Sequence, residues 1–380
     1  MERTNRSRRQ FLRQCAGMVI SSAACKLAAQ QKPKIRFSLA REFRNAYLLA
    51  TSPSGNRFCL GFTDQPETTF RLSGMSNKPQ MPSGATGQKV SIMETASGKP
   101  SATCYFRQRP YRGSFFSDDR RLYVQTLAFD ATGHTVSQHA LVNAATGAVD
   151  QQLRAEHPEL ATAFFSALSG RTLLGTEVDG TTRRTSSLVR VALPDYAELQ
   201  RSAFAPGPND RFSTELAFSA DRTTVAYAVG NSILCRRTSD LGIVWKQEVE
   251  PSRKIWRLAS TPDGHRIAAA IIDTTFIDHQ VDCSVRIYDG RAGAELVKLP
   301  LNGFRGIGIS PDGTLLALGE QTSAGSTVQI YNLSSGELLT SLDAGLPENF
   351  NMNGIQFLAD GRHLITSGVH TRLWQISRPS

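Results

Sequence analysis

Ser310-Pro311-Asp312-Gly313, then Leu315-Leu316-Ala317-Leu318, then Val328-Gln329-Ile330-Tyr331-Asn332 and Ser335-Gly336-Glu337, is the stretch whose reading decides the fold. An apolar run starting at Ile307 leads into it. The order is apolar strand, tight turn, apolar strand, gap, alternating strand, tight turn. Asp-Gly suits the first turn because Gly accepts positive φ and Asp bonds the backbone two residues on. Period-two alternation bounded by Gly, Asp, Asn and Ser indicates β-strands rather than helix.

The phrase recurs. Counted on the Asp of each turn, or the residue standing in for it, the anchors are Ser54, Asp119, Ser169, Asp221, Asp263, Asp312 and Asp360. Their steps of 65, 50, 52, 42, 49 and 48 residues lie near the spacing of four-stranded propeller blades, roughly fifty. Third strands alternate at Val90–Met93, Val285–Tyr288 and Thr371–Trp374. The last copy stops after Ile376 without a fourth strand, while Ile35–Leu39 alternates ahead of the first. That segment is expected to supply the outer strand of the last blade, closing the ring and removing an open sheet edge. The degenerate second and third copies leave six or eight blades open beside seven.

Val285-Arg286-Ile287-Tyr288-Asp289 and Thr371-Arg372-Leu373-Trp374-Gln375 match the third-strand phrase of the WD40-like propellers in their looser bacterial form, which the chain resembles over about residues 35–376. The Gly-His dipeptide and the Asp of that family's structural tetrad are not recognisable, and Trp-Asp never occurs. The resemblance implies an all-β chain, a single propeller of four-stranded blades, and a non-catalytic role in binding another protein. Fold analogy alone does not carry function.

Ser7-Arg8-Arg9-Gln10-Phe11-Leu12-Arg13, the apolar stretch Cys15–Ala24 and the small residues after it have the layout of a bacterial export signal. Arg8 and Arg9, with Phe11 and Leu12, resemble the twin-arginine version, whose pathway carries folded proteins. The expected organisation is an export signal over 1–29, a linker over 30–34, the propeller over 35–376 and a tail over 377–380. Localisation is then periplasmic or extracellular. Cleavage after Ala24 would leave Cys25 at the new N-terminus, but the box before it lacks Leu, and a lipid anchor is the lesser expectation. No apolar run reaches the roughly eighteen residues of a membrane span.

The net charge is +10, yet residues 1–34 hold eight Lys or Arg against Glu2, so +7 belongs to that stretch and +3 to the rest. A nucleic-acid partner is therefore not indicated. Cys59, Cys104, Cys235 and Cys283 form no Cys-x-x-Cys pair; bridges in an oxidising compartment are weighed against buried fillers of strand positions. No cofactor or metal ligand set is evident. Asp273, Asp278, His279 and Asp282 share one connection, but their spacing matches no Ca²⁺ loop and reads as a polar hairpin tip. His134 and His139 read as surface residues.

Antiparallel alternation puts the short Asp-Gly turns on one face of the ring. The long pieces Thr63–Lys89, Glu177–Thr185, Asp273–Asp282, Gln321–Ser326, Arg107–Gly113, Arg201–Arg211 and Asp343–Asn351 fall on the other. Loops on a rigid scaffold are where binding residues concentrate, so this face is expected to bind a protein partner. Arg107, Arg109, Tyr111 and Arg112 are its recognition candidates, since guanidiniums fork onto carboxylates or phosphates. Glu215, Arg257, Arg305 and Asn353 are expected at the channel mouth. They line it as polar residues, or serve a small-molecule hydrolase or lactonase, the alternative function. A third reading, polysaccharide recognition, would use Tyr111, Phe115 and Phe116. No residues are assigned as catalytic.

Overall fold

The computed structural model describes residues 35–62, 88–129, 135–153, 164–168, 170–178, 185–203, 216–219, 221–261, 263–273, 283–301, 306–322, 325–346, 354–368 and 370–378. Phe37–Ser377 forms one compact unit; the other, Met1–Arg36 with Arg378–Ser380, lies almost wholly outside the described residues. The described elements are all strands, and no helix among them is long and apolar enough to cross a membrane.

β1 (Arg36–Phe43) comes first. The first blade follows as β2 (Ala46–Thr51), β3 (Arg57–Phe62), β4 (Gln88–Glu94) and β5 (Pro100–Phe106). The second is β6 (Arg109–Phe115), β7 (Arg121–Phe129), β8 (Thr135–Asn143) and β9 (Val149–Leu153), and the third β10 (Phe164–Ala167), β11 (Thr172–Val178), β12 (Thr185–Ala192) and β13 (Ala197–Ala203). The fourth is β14 (Ala217–Phe218), β15 (Thr224–Val229), β16 (Ser232–Arg237) and β17 (Ile243–Glu248). The fifth is β18 (Arg253–Ser260), β19 (Arg266–Asp273), β20 (Cys283–Asp289) and β21 (Glu295–Leu301). The sixth is β22 (Gly306–Ile309), β23 (Leu315–Thr322), β24 (Gly325–Asn332) and β25 (Leu338–Leu346). β26 (Gly354–Phe357), β27 (His363–Ser367) and β28 (Thr371–Ser377) complete a seventh sheet in the order β1-β28-β27-β26. The chain is a seven-bladed β-propeller, closed by its N-terminal strand as expected.

That closure is held by side chains as well as by strand pairing. Arg372 Nε donates to Glu42 Oε2 at 3.0 Å, Leu48 N–H to Ser367 Oγ at 2.9 Å, and Thr371 Oγ1 to the Ala46 carbonyl at 2.8 Å. Gly55, at φ +74°, lies so close to the seventh blade that a Cβ there would meet the Ala359 nitrogen at 2.6 Å.

The turns form for local reasons. Ser310 Oγ donates to Asp312 Oδ1 (2.6 Å), which also accepts the Thr314 N–H (3.1 Å), and Gly313 N–H returns to the Ser310 carbonyl (2.9 Å). Thr261 with Asp263 and Ser219 with Asp221 repeat the pattern. In the second blade the Asp that caps the turn is Asp118, bonded to Arg120 N–H at 3.0 Å, while Asp119 takes the glycine place at φ 56°. The sequence anchor there belongs one residue earlier.

Second strands read as unbroken apolar runs because each lies between two neighbouring blades. Along β19, Ile267, Ala269 and Ile271 pack into the cluster shared with the fourth blade, and Ala268 and Ala270 into that shared with the sixth. Phe58 and Leu60 face the seventh blade while Cys59 faces the second. Burying such a Leu or Phe contributes about 1.5–3 kcal/mol. Cys59, Cys104, Cys235 and Cys283 are free, buried thiols within this packing.

Three placements differ from the sequence expectation. Gln321–Ser326 is not a long connection: Gln321 and Ser326 are paired across β23 and β24, which only residues 323–324 join. Arg109–Phe115 is the innermost strand of the second blade rather than a loop, so the β5–β6 connection is only Arg107-Gln108. His139 is 2% exposed rather than a surface residue, because it faces the third blade from β8; His134 lies outside the described residues. Gln125 Nε2 donates to its Nε2 at 3.3 Å, leaving Nδ1–H to donate to the Tyr196 hydroxyl at 2.5 Å. The rings of Tyr123, Phe165 and Tyr196 surround it at 5.4–6.3 Å, and burial pushes its pKa down to about 4.

Candidate functional site

Every connection between the first and second strands of a blade, and between the third and fourth within one sheet of consecutive strands, is four or five residues long. All of them lie on one face. On the other, the connections range from two residues at Arg107-Gln108 to the span 63–87. Most of those spans lie outside the described residues, including the Asp278, His279 and Asp282 cluster. The strand ends they join are fixed, and all meet the face opposite the Asp-Gly turns.

The bore between the faces is lined by the innermost strands β2, β6, β10, β14, β18, β22 and β26, and encloses about 640 Å³. Three of these strands carry a register shift part-way along, at Leu49, Tyr111 and Trp256. A bulge bends the strand and re-aims the side chain that follows. After two of them stand Arg112 and Arg257, both lining the bore. At the same level the sixth and seventh blades place Gly306 and Gly354, which leave space. Burial lowers the pKa of Arg112, and that of Arg257 is lowered by burial and then by the charge of Arg112. A guanidinium remains charged at neutral pH even so.

Of the sequence candidates, the bore gathers Tyr111, Arg112 and Arg257. Arg107 is exposed at the β5–β6 connection, and Arg109 packs its guanidinium 5.1 Å from the Tyr47 ring centre, at the joint of the first two blades. The Tyr47 hydroxyl donates to the Pro110 carbonyl at 2.5 Å. Glu215, Arg305 and Asn353 lie outside the described residues, although their chain neighbours Leu216, Gly306 and Gly354 line the bore. Phe115 and Phe116 are 1% and 0% exposed, in the blade interior, and so are not available as sugar platforms.

One lining residue escaped the sequence reading. Arg222 follows Asp221 where Gly313 follows Asp312, holds φ 58°, and lies at the turn-face end of the bore. Its guanidinium stacks 4.7 Å from the centre of the Phe218 ring, and burial lowers its pKa. The signal was present in the repeat: an Arg in the place that five of the other turns give to Gly and the second gives to Asp119.

Comparison with known proteins gives the same architecture. The β-propeller domain of Cps50 (Swd1) from Myceliophteria thermophila superposes with a TM-score of 0.59 at 11% identity, covering 90% of this chain and all of that one. Hydrazine synthase from Kuenenia stuttgartiensis gives a TM-score of 0.57 at 12% identity over 89% of this chain and 96% of the other. At such identity the likeness is one of fold. No protein-family description and no curated protein sequence matches the chain.

Proposed function

We propose that this propeller is an exported, non-catalytic scaffold that binds another protein in the bacterial envelope through its loop-bearing face. The observation that carries the reading is the inequality of the two faces. Insertions tolerated at random would lengthen connections on both sides of the ring. Here one face is uniform, with four or five residues per turn, and the variation is confined to the other. A rigid ring presenting variable connections on one side is how a scaffold acquires specificity without altering its core. The Arg8-Arg9 segment supports folded export, which suits a ring that closes only when both ends of the chain meet.

Affinity capture from envelope extract tests this, using residues 30–380 beside a form whose 63–87 span is cut to a tight turn. A protein retained by the intact form alone, which then binds it when both are purified, is the expected result. Equal retention by both forms, or none, would refute the reading. Replacing Arg8 and Arg9 with Lys is expected to leave the protein in the cytoplasmic fraction; unchanged fractionation would remove the export claim.

A further inference from the structure

Among the described residues the large apolar side chains left exposed all stand on the outer strands of the blades, with one exception. Trp256 is on an innermost strand and is 53% exposed, whereas Trp245 and Trp374 are 7% and 8% exposed. The cause is the bulge in β18. Ile255 pairs with Ile271 and Arg257 with Ala270, so Trp256 is the extra residue and its side chain is turned out of the alternation. Arg257 to Ser260 line the bore and Trp256 does not. Because β18 runs inward from the loop face, the indole stands at that rim of the cavity. β6 repeats the arrangement. Tyr111 is the extra residue of its bulge, and Arg112 follows it as Arg257 follows Trp256. Each aromatic residue stands seven positions before its turn Asp, Asp118 or Asp263. In a ring of seven the second and fifth blades lie three steps apart one way and four the other, so Tyr111 and Trp256 stand on nearly opposite walls.

The walls below the indole say what kind of ligand would cover it. Each innermost strand is paired on one edge only, and its other edge turns both backbone N–H and C=O groups toward the bore. Some are met across the blade joints: Ala167 N–H donates to Ser114 Oγ at 3.0 Å, and Ser260 Oγ donates to the Phe218 carbonyl at 2.6 Å. In the sixth and seventh blades Gly306, Gly308 and Gly354 carry no side chain to cover the rest. Donors and acceptors side by side suit a hydroxyl, which is both, better than an ion of either sign. Arg112 and Arg257 already have partners and add no demand for an anion. A pyranose sugar has hydroxyls around its edge and an apolar C–H face that packs on the negative face of an aromatic ring. The cavity, about 640 Å³, falls within the range of small-molecule sites, about 300–1,000 Å³. We infer that the loop-face mouth of the bore is a binding site for a neutral pyranose sugar, stacked on Trp256, with Tyr111 on the facing wall and the sugar hydroxyls bonded to the inner strands. This site is separate from the loop-face scaffold reading and stands without it.

Tryptophan fluorescence of the full chain tests the inference, because Trp256 is the exposed indole and the other two are buried. The probes are the methyl glycosides of β-glucose, α-mannose, β-galactose and β-N-acetylglucosamine, beside glucuronate and cyclohexanol. At least one glycoside is expected to shift the emission saturably. Glucuronate, which would bring an unpaired charge into the mouth, and cyclohexanol, which lacks the hydroxyls around its edge, should each bind about tenfold or more weakly. By calorimetry, Trp256→Ala should raise Kd for that glycoside about tenfold or more, and Trp256→Phe, which keeps an aromatic face, clearly less. The melting temperature of both variants should stay near that of the wild type, since the indole is half exposed. A wild-type measurement covers the case in which Trp256→Ala fails to fold: the bound glycoside should slow oxidation of Trp256 by N-bromosuccinimide, located by peptide mass. The inference is overturned if no glycoside binds, if Trp256→Ala binds as the wild type does, if the glycoside leaves the oxidation of Trp256 unchanged, or if glucuronate or cyclohexanol matches the best glycoside.

Discussion

Burial of His139 is expected to cost the folded ring stability in acid. His139 is neutral in the folded ring because Tyr123, Phe165 and Tyr196 enclose it and no carboxylate lies among its described hydrogen-bond partners. Its folded pKa is about 4, against 6.5 for an unburied imidazole. Above pH 6.5 the ring is neutral in both states and carries no penalty. As pH falls below that value the unfolded chain takes up a proton that the folded chain refuses, so stability declines with falling pH. The decline levels off near pH 4, where the folded form is protonated too. Each tenfold difference in proton affinity is worth about 1.4 kcal/mol, so the whole loss is about 3 kcal/mol. His139→Phe fills the same space without a titrating group. It leaves the Tyr196 hydroxyl with only the longer contact to the Tyr123 hydroxyl and takes one partner from the Gln125 amide, a fixed cost of about 1–3 kcal/mol at every pH. Urea unfolding of both proteins from pH 4 to pH 7.5 separates the two effects, because other titrating groups contribute equally and cancel in the difference. The wild type should lose about 3 kcal/mol more than the variant across that interval. Parallel pH profiles would refute the argument.

Three further perturbations follow from the packing. Gly55→Ala must hold positive φ and push a methyl group onto the backbone at Ala359; a loss of about 2 kcal/mol or more is expected in denaturant unfolding, and an unchanged midpoint would contradict the close approach. Glu42→Gln removes the charge that Arg372 meets across the ring closure, for a loss of about 1 kcal/mol that should shrink at high salt; salt-independence would contradict it. Burial raises the thiol pKa of Cys104 and Cys235 to about 11 and lifts that of Cys59 well above the usual thiol range, so these thiols should react with a disulfide reagent at pH 8 only after unfolding. Labelling of the folded ring at any of them, read by peptide mass, would contradict the packing.

The repeat made the architecture legible because turns related to Ser-Pro-Asp-Gly recur at steps near fifty residues, although the degenerate second and third copies did not by themselves fix the number of blades at seven. Ring closure was legible for the same reason: one strand was missing at one end and one was spare at the other. What sequence spacing could not supply was the side of a strand boundary on which short polar runs fall. Arg109-Pro110-Tyr111-Arg112 has loop composition, yet it forms the innermost strand, where only one neighbour must be paired and the other edge faces the bore. The same geometry explains why Arg112 and Arg257, 145 positions apart in sequence, share a cavity. His139 was read as exposed because period-two alternation marks two faces without saying that both are covered. In a ring of stacked blades they are, and a polar residue can be enclosed if Tyr196 arrives from the next blade to bond it.

The loop-bearing face is the centre of the functional account, and opposed surface changes test it most directly. One form would carry Arg107→Glu and the shortened 63–87 span; the other would carry Lys99→Glu and Arg120→Glu, exposed on the turn face. Affinity of each for the purified partner from the capture experiment would be measured by calorimetry. Binding lost in the first form and kept in the second is the expected result. Binding kept in the first and lost in the second would place the partner on the turn face and contradict the account.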